Sequence, residues 1–177
     1  MLDIAVSYNK YKFLGNEFLT WIWFVIETNA SISGLLNIKD KTITMKIGNS
    51  IVLENSLGDQ SVEKISIKGD DAGLEEGTTA LRKGALVTDM NLHLSVDDSE
   101  FRFSLKGESM NITGLKTPPA GAVEQEDELE GAVLEKTYLC SSLFDMIDAL
   151  FAVFIKKRIS PDWKNKDLQE IKNWIKL

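Results

Sequence analysis

The sequence holds one cysteine and one histidine among its 177 residues, and these two scarcities exclude several kinds of site. The single thiol, Cys140, cannot form an internal disulfide, and no Cys and His spacing supports a structural zinc site. Because His93 is the sole imidazole, any histidine-dependent catalysis would have to use that residue. The sequence locates no nucleophile and no orienting acid beside it, so we interpret His93 as a solvent-facing strand histidine.

A long apolar run near the N-terminus and a basic leader are also missing. The most apolar early stretch, residues 13–26, is shorter than the about 20 apolar residues that a bilayer span needs, and it contains Asn16 and Glu17. Residues 1–9 offer neither the basic leader nor the small-residue cleavage site of a signal peptide. We therefore expect a cytoplasmic protein without a membrane partner, in keeping with a reduced lone thiol.

An excess of positive charge is missing as well, since 20 basic and 27 acidic residues give a net charge of -7. That balance argues against broad electrostatic binding to nucleic acid. The charge is nevertheless uneven, because residues 124–135 carry six acids and no base, whereas residues 156–177 carry a net of +4. A local basic surface can bind phosphates on an acidic protein, since distant charges are screened beyond about 10 Å.

The candidate phosphate-binding residues are therefore the basic side chains near the carboxyl end, together with the end of an earlier predicted helix. They are Lys156, Lys157, Arg158, Lys164, Lys166, Arg82 and Lys83. The alternative interpretation is a solvated helix face with ordinary charges.

The apolar pattern of residues 14–28 predicts a helix, and it is apolar nearly all round. Such a helix is buried on several sides, either in the core of its own chain or against a partner. This alternative yields a candidate oligomer interface, made by Phe18, Trp21, Ile22 and Trp23.

Alternation of apolar and polar residues predicts the strands. It runs from Ile43 to Ile47, where Gly48-Asn49 predicts a turn, and it recurs at Ile65 and Ile67. The strongest alternation covers residues 90–96 and returns at residues 101–105 after the Asp97-Asp98-Ser99 turn, with a further strand at Met110 and Ile112.

Helical spacing predicts the remaining elements, beginning with a short helix over residues 73–83. After a linker at residues 116–121, a long helix has Cys140, Leu143, Ile147, Leu150 and Phe154 on its apolar side. Ser160-Pro161-Asp162 predicts the start of a terminal helix.

The order of these elements predicts an α+β fold with a mainly antiparallel sheet, an N-terminal buried helix, a long C-terminal helix and a terminal helix. The predicted organisation is a sheet domain at residues 1–117 and a linker with a helical segment at residues 118–177, packed on it as one unit.

No enzyme signature is present. Gly114-Leu115-Lys116-Thr117 has the wrong order for a phosphate loop, and the acidic run lacks the alternating ligands and glycine of a calcium loop. Cys140, expected in the core of its helix, is interpreted as a small apolar residue rather than a reactive thiol. We predict no catalytic residue, no metal and no cofactor, and the sequence identifies no small-molecule substrate.

Several strings resemble one known family. The segment at residues 13–23, FLGNEFLTWIW, resembles the strand-to-helix segment of the RdgC-like, recombination-associated proteins. The strand at residues 64–69, the helix ending in Leu81-Arg82-Lys83-Gly84 and the later hairpin follow the plan of the same family. The likeness covers most of residues 13–158 and corresponds to the C-terminal half of a full-length member.

The resemblance implies a non-enzymatic protein. Members of that family form ring-shaped dimers, bind double-stranded DNA without sequence preference and restrain recombinase loading. It therefore implies a homo-oligomer that is DNA-associated, acts in recombination control and is found in the cytoplasm at the nucleoid. The alternative is a protein-interaction or assembly module that keeps the fold without binding DNA, which the acidic charge favours.

Overall fold

A five-stranded antiparallel sheet with helices packed on its apolar face makes up most of the protein. The structure is a computed structural model, and it describes residues 11–56, 62–69, 74–121 and 129–176. The N-terminal residues 1–9 and the acidic residues 124–128, both considered above, lie outside these ranges. The predicted α+β class, with its antiparallel sheet, long helix and terminal helix, is confirmed.

The strands are all paired antiparallel, in the spatial order β2-β1-β3-β4-β5. They are β1 (Ile43–Ser56), β2 (Val62–Lys68), β3 (Leu86–Val96), β4 (Ser99–Lys106) and β5 (Ile112–Lys116). The predicted hairpin between β3 and β4 is confirmed, with Val96 directly opposite Ser99.

The described helices are α1 (Phe13–Glu27), α2 (Ile32–Leu35), α3 (Leu74–Arg82), α4 (Leu129–Ile159) and α5 (Leu168–Lys176). A π-helical segment, Trp163–Asp167, precedes α5. The predicted helix start at Ser160 is present, since its hydroxyl accepts a hydrogen bond from the backbone N–H of Asp162 at 3.2 Å. The first turn after it is the wider π-helical turn, and the α-helix begins only at Leu168. The turn directs Trp163 into the core, where the residue is 7% exposed.

The predicted turn at Gly48-Asn49 is wrong, because β1 continues through both residues as one long strand. The pairing of β1 with β3 shifts register between Ile47 and Ile51, which identifies a bulge. Gly48 lies against the side chains of Asn91 and His93, and a Cβ at this position would overlap the Asn91 carboxamide. The glycine therefore permits a close approach of two strands rather than a reversal of the chain.

The predicted oligomer interface on α1 is wrong, because its four residues do not lie on the surface of the chain. Phe18, Trp21, Ile22 and Trp23 are at most 2% exposed within this single chain. Their apolar surroundings come from the chain's own later helices, since Phe18 packs on Phe154 of α4 with ring centres 5.7 Å apart. Trp23 packs edge-on against Trp174 of α5 at 5.5 Å. The apolar pattern on all sides of α1 thus reflects a central core helix.

The first turn of α1 lies unusually close to the backbone that follows β4. A Cβ on Gly15 would overlap the carbonyl oxygen of Gly107, and a Cβ on Gly107 would overlap the side chain of Asn16. This contact lets α1 approach the sheet at van der Waals distance, and it depends on both residues lacking a side chain.

Helix α4 has two different halves. The predicted apolar side of its carboxyl-terminal half is confirmed, since Leu143, Ile147, Leu150 and Phe154 are at most 4% exposed. In contrast, no residue from 129 to 142 is buried. The expectation that Cys140 lies in the core is therefore wrong, because its side chain is only half-buried at a point where the sheet and α1 no longer cover the helix.

Candidate functional site

Four side chains that carry or can carry positive charge form a row across the open face of the sheet. Lys46 of β1 is directly opposite His93 of β3, His93 is opposite Arg102 of β4, and Arg102 is opposite Lys116 of β5. Each lies on the face away from the helices, because its neighbours along the strand, such as Leu92 and Leu94, are fully buried. We call these four residues the cationic row; at the usual strand spacing it is about 15 Å long.

One carboxylate, Glu100, lies beside the cationic row. Arg102 donates to it from Nε and Nη2 at 3.1 and 3.0 Å, and Nδ1 of His93 is 3.6 Å from its Oε1. The hydrogen bond from Arg102 lowers the pKa of the Glu100 carboxyl, and Lys46 contributes to the same shift. Within the described ranges Lys46 and Lys116 form no salt bridge, so both ammonium groups are available to an anion.

The floor beside the row is built by Asn91. Its Nδ2 donates to the carbonyl of Phe103 at 3.2 Å and to the hydroxyl of Ser104 at 3.1 Å, while its Oδ1 accepts from the N–H of Asn49 at 3.3 Å. These bonds fix the amide, and its carboxamide packs directly against Gly48, where a side chain would overlap it. The result is a shallow polar cavity of about 440 Å³ that Lys46, His93, Arg102 and Lys116 all line.

The whole open face of the sheet is positive, although the protein is negative. On the described strands it carries six permanent cations and three carboxylates, a net of +3. The cations are Lys46, Lys64, Lys68, Arg102, Lys106 and Lys116, and the carboxylates are Glu54, Asp89 and Glu100. Partial burial raises the pKa of Asp89, and the nearby Lys106 and Lys64 oppose that shift.

The basic residues that the sequence singled out near the carboxyl end do not form one groove. Lys157 is paired with Asp167 at 2.8 Å. Arg158 is paired with Glu17 at 2.7 Å, and its guanidinium lies over the ring of Trp163. These two charges are largely neutralised by their partners.

The other predicted cations do not line one common cavity. Arg82 donates from Nε to the carbonyl of Ile175 at 2.8 Å and lines a cleft together with Arg158. The remaining candidates, Lys83, Lys156, Lys164 and Lys166, are exposed and do not line that cleft, although all lie in the described ranges. Their part in binding stays a prediction.

Among the described residues, the first half of α4 (residues 129–142), which we call its uncovered half, exposes several large apolar side chains, although residues 119–121 lie along one side of it. Leu129, Val133, Leu134 and Tyr138 are between 54% and 68% exposed, along a helix of 31 residues. By length and composition alone α4 could cross a membrane, since its most apolar stretch has a mean hydropathy of 1.7 and is 22% buried. In the part of the chain that the structure describes, no cluster of three or more His, Cys, Asp or Glu is arranged to hold a metal ion.

Comparisons of the chain with protein-family models, with curated proteins and with solved structures found no match. The candidate sites therefore depend on the geometry of the chain itself.

Sequence reasoning placed His93 correctly on a polar strand face but missed the cationic row. Its members are separated by up to 70 positions in the sequence, and only the register of four strands brings them together.

Proposed function

We propose that the protein is a non-enzymatic DNA-associated protein that contacts duplex DNA, without sequence preference, through the open face of its sheet. The observation that carries this proposal is the cationic row, Lys46, His93, Arg102 and Lys116, on a sheet face of net charge +3. Neutralising phosphates with Lys and Arg releases counterions from DNA, and this term supplies most of the affinity of sequence-independent binding.

The chemistry of the row fits phosphates better than bases. Its side chains are two lysines, an arginine and an imidazole, and no Phe, Tyr or Trp lines the cavity beside them as a stacking platform for an exposed base. Contacts of this kind position a protein on the backbone and carry no sequence information. The resemblance to RdgC-like proteins supports the same function, including a role in recombination control.

The overall negative charge is compatible with this proposal because electrostatic screening is local. At physiological salt the interaction between two exposed charges is largely screened beyond about 8 Å, and this distance is shorter than the cationic row. The acids outside the sheet face therefore weaken the approach of DNA without cancelling the contacts on the face.

The decisive test is a titration of labelled duplexes of unrelated sequence at low salt, read by fluorescence anisotropy. The K46A/K116A variant removes both unpaired lysines of the row, and both are exposed, so the fold is expected to persist. We expect its affinity to fall about tenfold. The comparison variant is K156A/K164A, which removes two of the exposed lysines that the sequence analysis proposed as phosphate ligands. If the cationic row holds the phosphates, this variant binds like the wild type.

The outcomes separate the hypotheses. If the comparison variant loses affinity and the row variant does not, DNA binds at the residues near the carboxyl end, and the row is not the site. If the wild type binds no duplex at low salt, DNA association is wrong.

A second candidate function is assembly, for which the uncovered half of α4 is the specific observation. Leu134 and Tyr138 are 63% and 68% exposed. Helix α4 carries the carboxylate of Glu130 in its first turn and the exposed ammonium of Lys156 in its last turn, so an antiparallel pair of α4 helices brings these opposite charges together. We therefore propose a second copy of this chain as the occupant. The four carboxylates of α4 disfavour a lipid surface, since helices that bind anionic membranes are rich in Lys and Arg.

Measurement of mass in solution by light scattering tests assembly. We expect twice the chain mass of 19.8 kDa for the wild type and a single chain for L134E/Y138E. Val62→Glu is the control, because Val62 is a similarly exposed apolar residue on the edge strand β2 rather than on α4. A wild-type protein that is monomeric at every concentration would remove the assembly proposal and leave the DNA proposal to its own test.

A further inference from the structure

A second cavity lies at the opposite side of the core from the cationic row. It has a volume of about 490 Å³ and is enclosed by the end of α3, the turn after α3, and α5. Its floor is apolar, because Leu81, Ala85, Trp163 and Ile171 line it and are each at most 9% exposed. Leu86, at the start of β3, extends the apolar lining outward and is 43% exposed. We call this cavity the α3–α5 cleft.

Three cations stand at the edge of the α3–α5 cleft. Lys172 and Lys176 are one turn apart on α5, so their side chains lie on the same side of that helix. Arg82 donates from Nε to the carbonyl of Ile175, which holds its guanidinium across one end of the cleft and leaves its terminal N–H groups for another acceptor. In the described ranges none of these three side chains forms a salt bridge.

The one carboxylate in the cleft is already neutralised. Glu17 accepts from Arg158 at 2.7 Å, and the same guanidinium lies 5.4 Å from the centre of the Trp163 ring. This pair closes one wall without adding net charge. The α3–α5 cleft therefore combines an apolar floor with a surplus of three positive charges at its edge.

We propose that the α3–α5 cleft binds a small carboxylic acid with an apolar body, such as a medium-chain fatty acid. The carboxylate accepts charge-assisted hydrogen bonds from Arg82, Lys172 and Lys176, and the hydrocarbon covers the apolar floor and Leu86. The volume is in the range of pockets that enclose small molecules. This chemistry differs from that of the cationic row, whose cavity is polar, and the inference does not depend on DNA association.

Calorimetric titration of the full chain with decanoate, below the concentration at which it forms micelles, tests this inference. Acetate has the same carboxylate without the tail, and decyltrimethylammonium has the same tail with the opposite charge. We expect decanoate to bind at one site per chain and both comparison compounds to bind at least about tenfold more weakly, since each lacks one of the two recognition elements.

Two variants locate the site. K172A/K176A removes two of the cations, and L86D places a carboxylate on the half-exposed apolar edge; both positions are exposed enough for the fold to tolerate the change. Each is expected to weaken decanoate binding about tenfold. K39A/K41A, which removes two exposed lysines beside β1, and K46A/K116A on the cationic row are expected to bind decanoate like the wild type.

The inference is overturned if the wild-type chain does not bind decanoate or if decyltrimethylammonium binds equally well. It is also overturned if K172A/K176A and L86D both keep wild-type affinity, because the ligand would then lie elsewhere. Loss of decanoate binding in K46A/K116A alone would assign the anion to the sheet face instead.

Discussion

Arg102 holds the Glu100 carboxylate with two hydrogen bonds, at 3.1 and 3.0 Å, from a position two residues later on β4. Because alternate residues of a strand share a face, this pair places one negative charge beside the cationic row. The carboxylate occupies the fork of the guanidinium, which is the group best suited to a phosphate. Glu100 thus competes directly with any anion that approaches Arg102.

Glu100→Gln is expected to strengthen DNA binding several-fold. The substitution frees the guanidinium of Arg102 and raises the net charge of the sheet face by one, and the pair it removes is solvent-exposed, so stability changes little. Anisotropy titration of a labelled duplex measures the effect. Glu108→Gln, at another exposed ion pair and away from the row, is the control. Equal affinity of E100Q and wild type would mean that DNA does not contact Arg102.

Gly15→Ala is expected to destabilise the fold by about 2 kcal/mol, since the new methyl group would overlap the carbonyl of Gly107 and force α1 away from the sheet. Gly131→Ala is the matched control, because no atom lies within 4 Å of a Cβ there. At this exposed position in the first turn of α4 that change should stabilise by up to about 1 kcal/mol, because alanine restricts the unfolded chain more than glycine does. Urea denaturation measures both. A Gly15→Ala protein as stable as the wild type would contradict the close approach of α1.

The α+β class and most of the elements followed from local pattern. Alternation located β3 and β4, and the spacing of Leu143, Ile147, Leu150 and Phe154 identified the buried side of α4. The bulge at Gly48 did not follow, because a Gly-Asn pair has the same local signature in a turn and in a bulged strand.

Partners of apolar surfaces were harder to assign than the surfaces themselves. Trp21 and Trp23 were recognisable as buried, yet whether their neighbours belong to this chain or to another depends on tertiary packing. The cationic row was missed for the same reason, because the pairing of Lys46 with His93 depends on the register of two strands and not on local sequence. A sequence pattern gives the face of each strand but not the residue opposite.

Glu27→Gln is expected to raise stability at neutral pH. Partial burial raises the pKa of the Glu27 carboxyl in the folded chain above the usual 4.5, so its charged form is disfavoured there. The resulting loss of stability is complete at a pH above the pKa of the folded chain. It disappears as the pH falls to the pKa of the unfolded chain. The glutamine keeps an oxygen to accept from the indole N–H of Trp23, which is 3.3 Å from Oε1.

Urea denaturation of the wild type and Glu27→Gln between pH 4 and 8 checks this sign. The glutamine variant should be the more stable protein at pH 7, and the two curves should converge as the pH falls toward 4. A variant that is less stable than the wild type at pH 7 would show that the charged carboxylate stabilises the fold.

The most direct test of the central claim, that the cationic row holds DNA phosphates, is the salt dependence of duplex binding. The slope of log affinity against log salt changes by about 0.9 for each phosphate contact, so K46A/K116A should have a slope about 1.8 shallower than the wild type. K156A/K164A should keep the wild-type slope. A row variant with an unchanged slope would contradict the account, because it would show that neither Lys46 nor Lys116 lies against a phosphate.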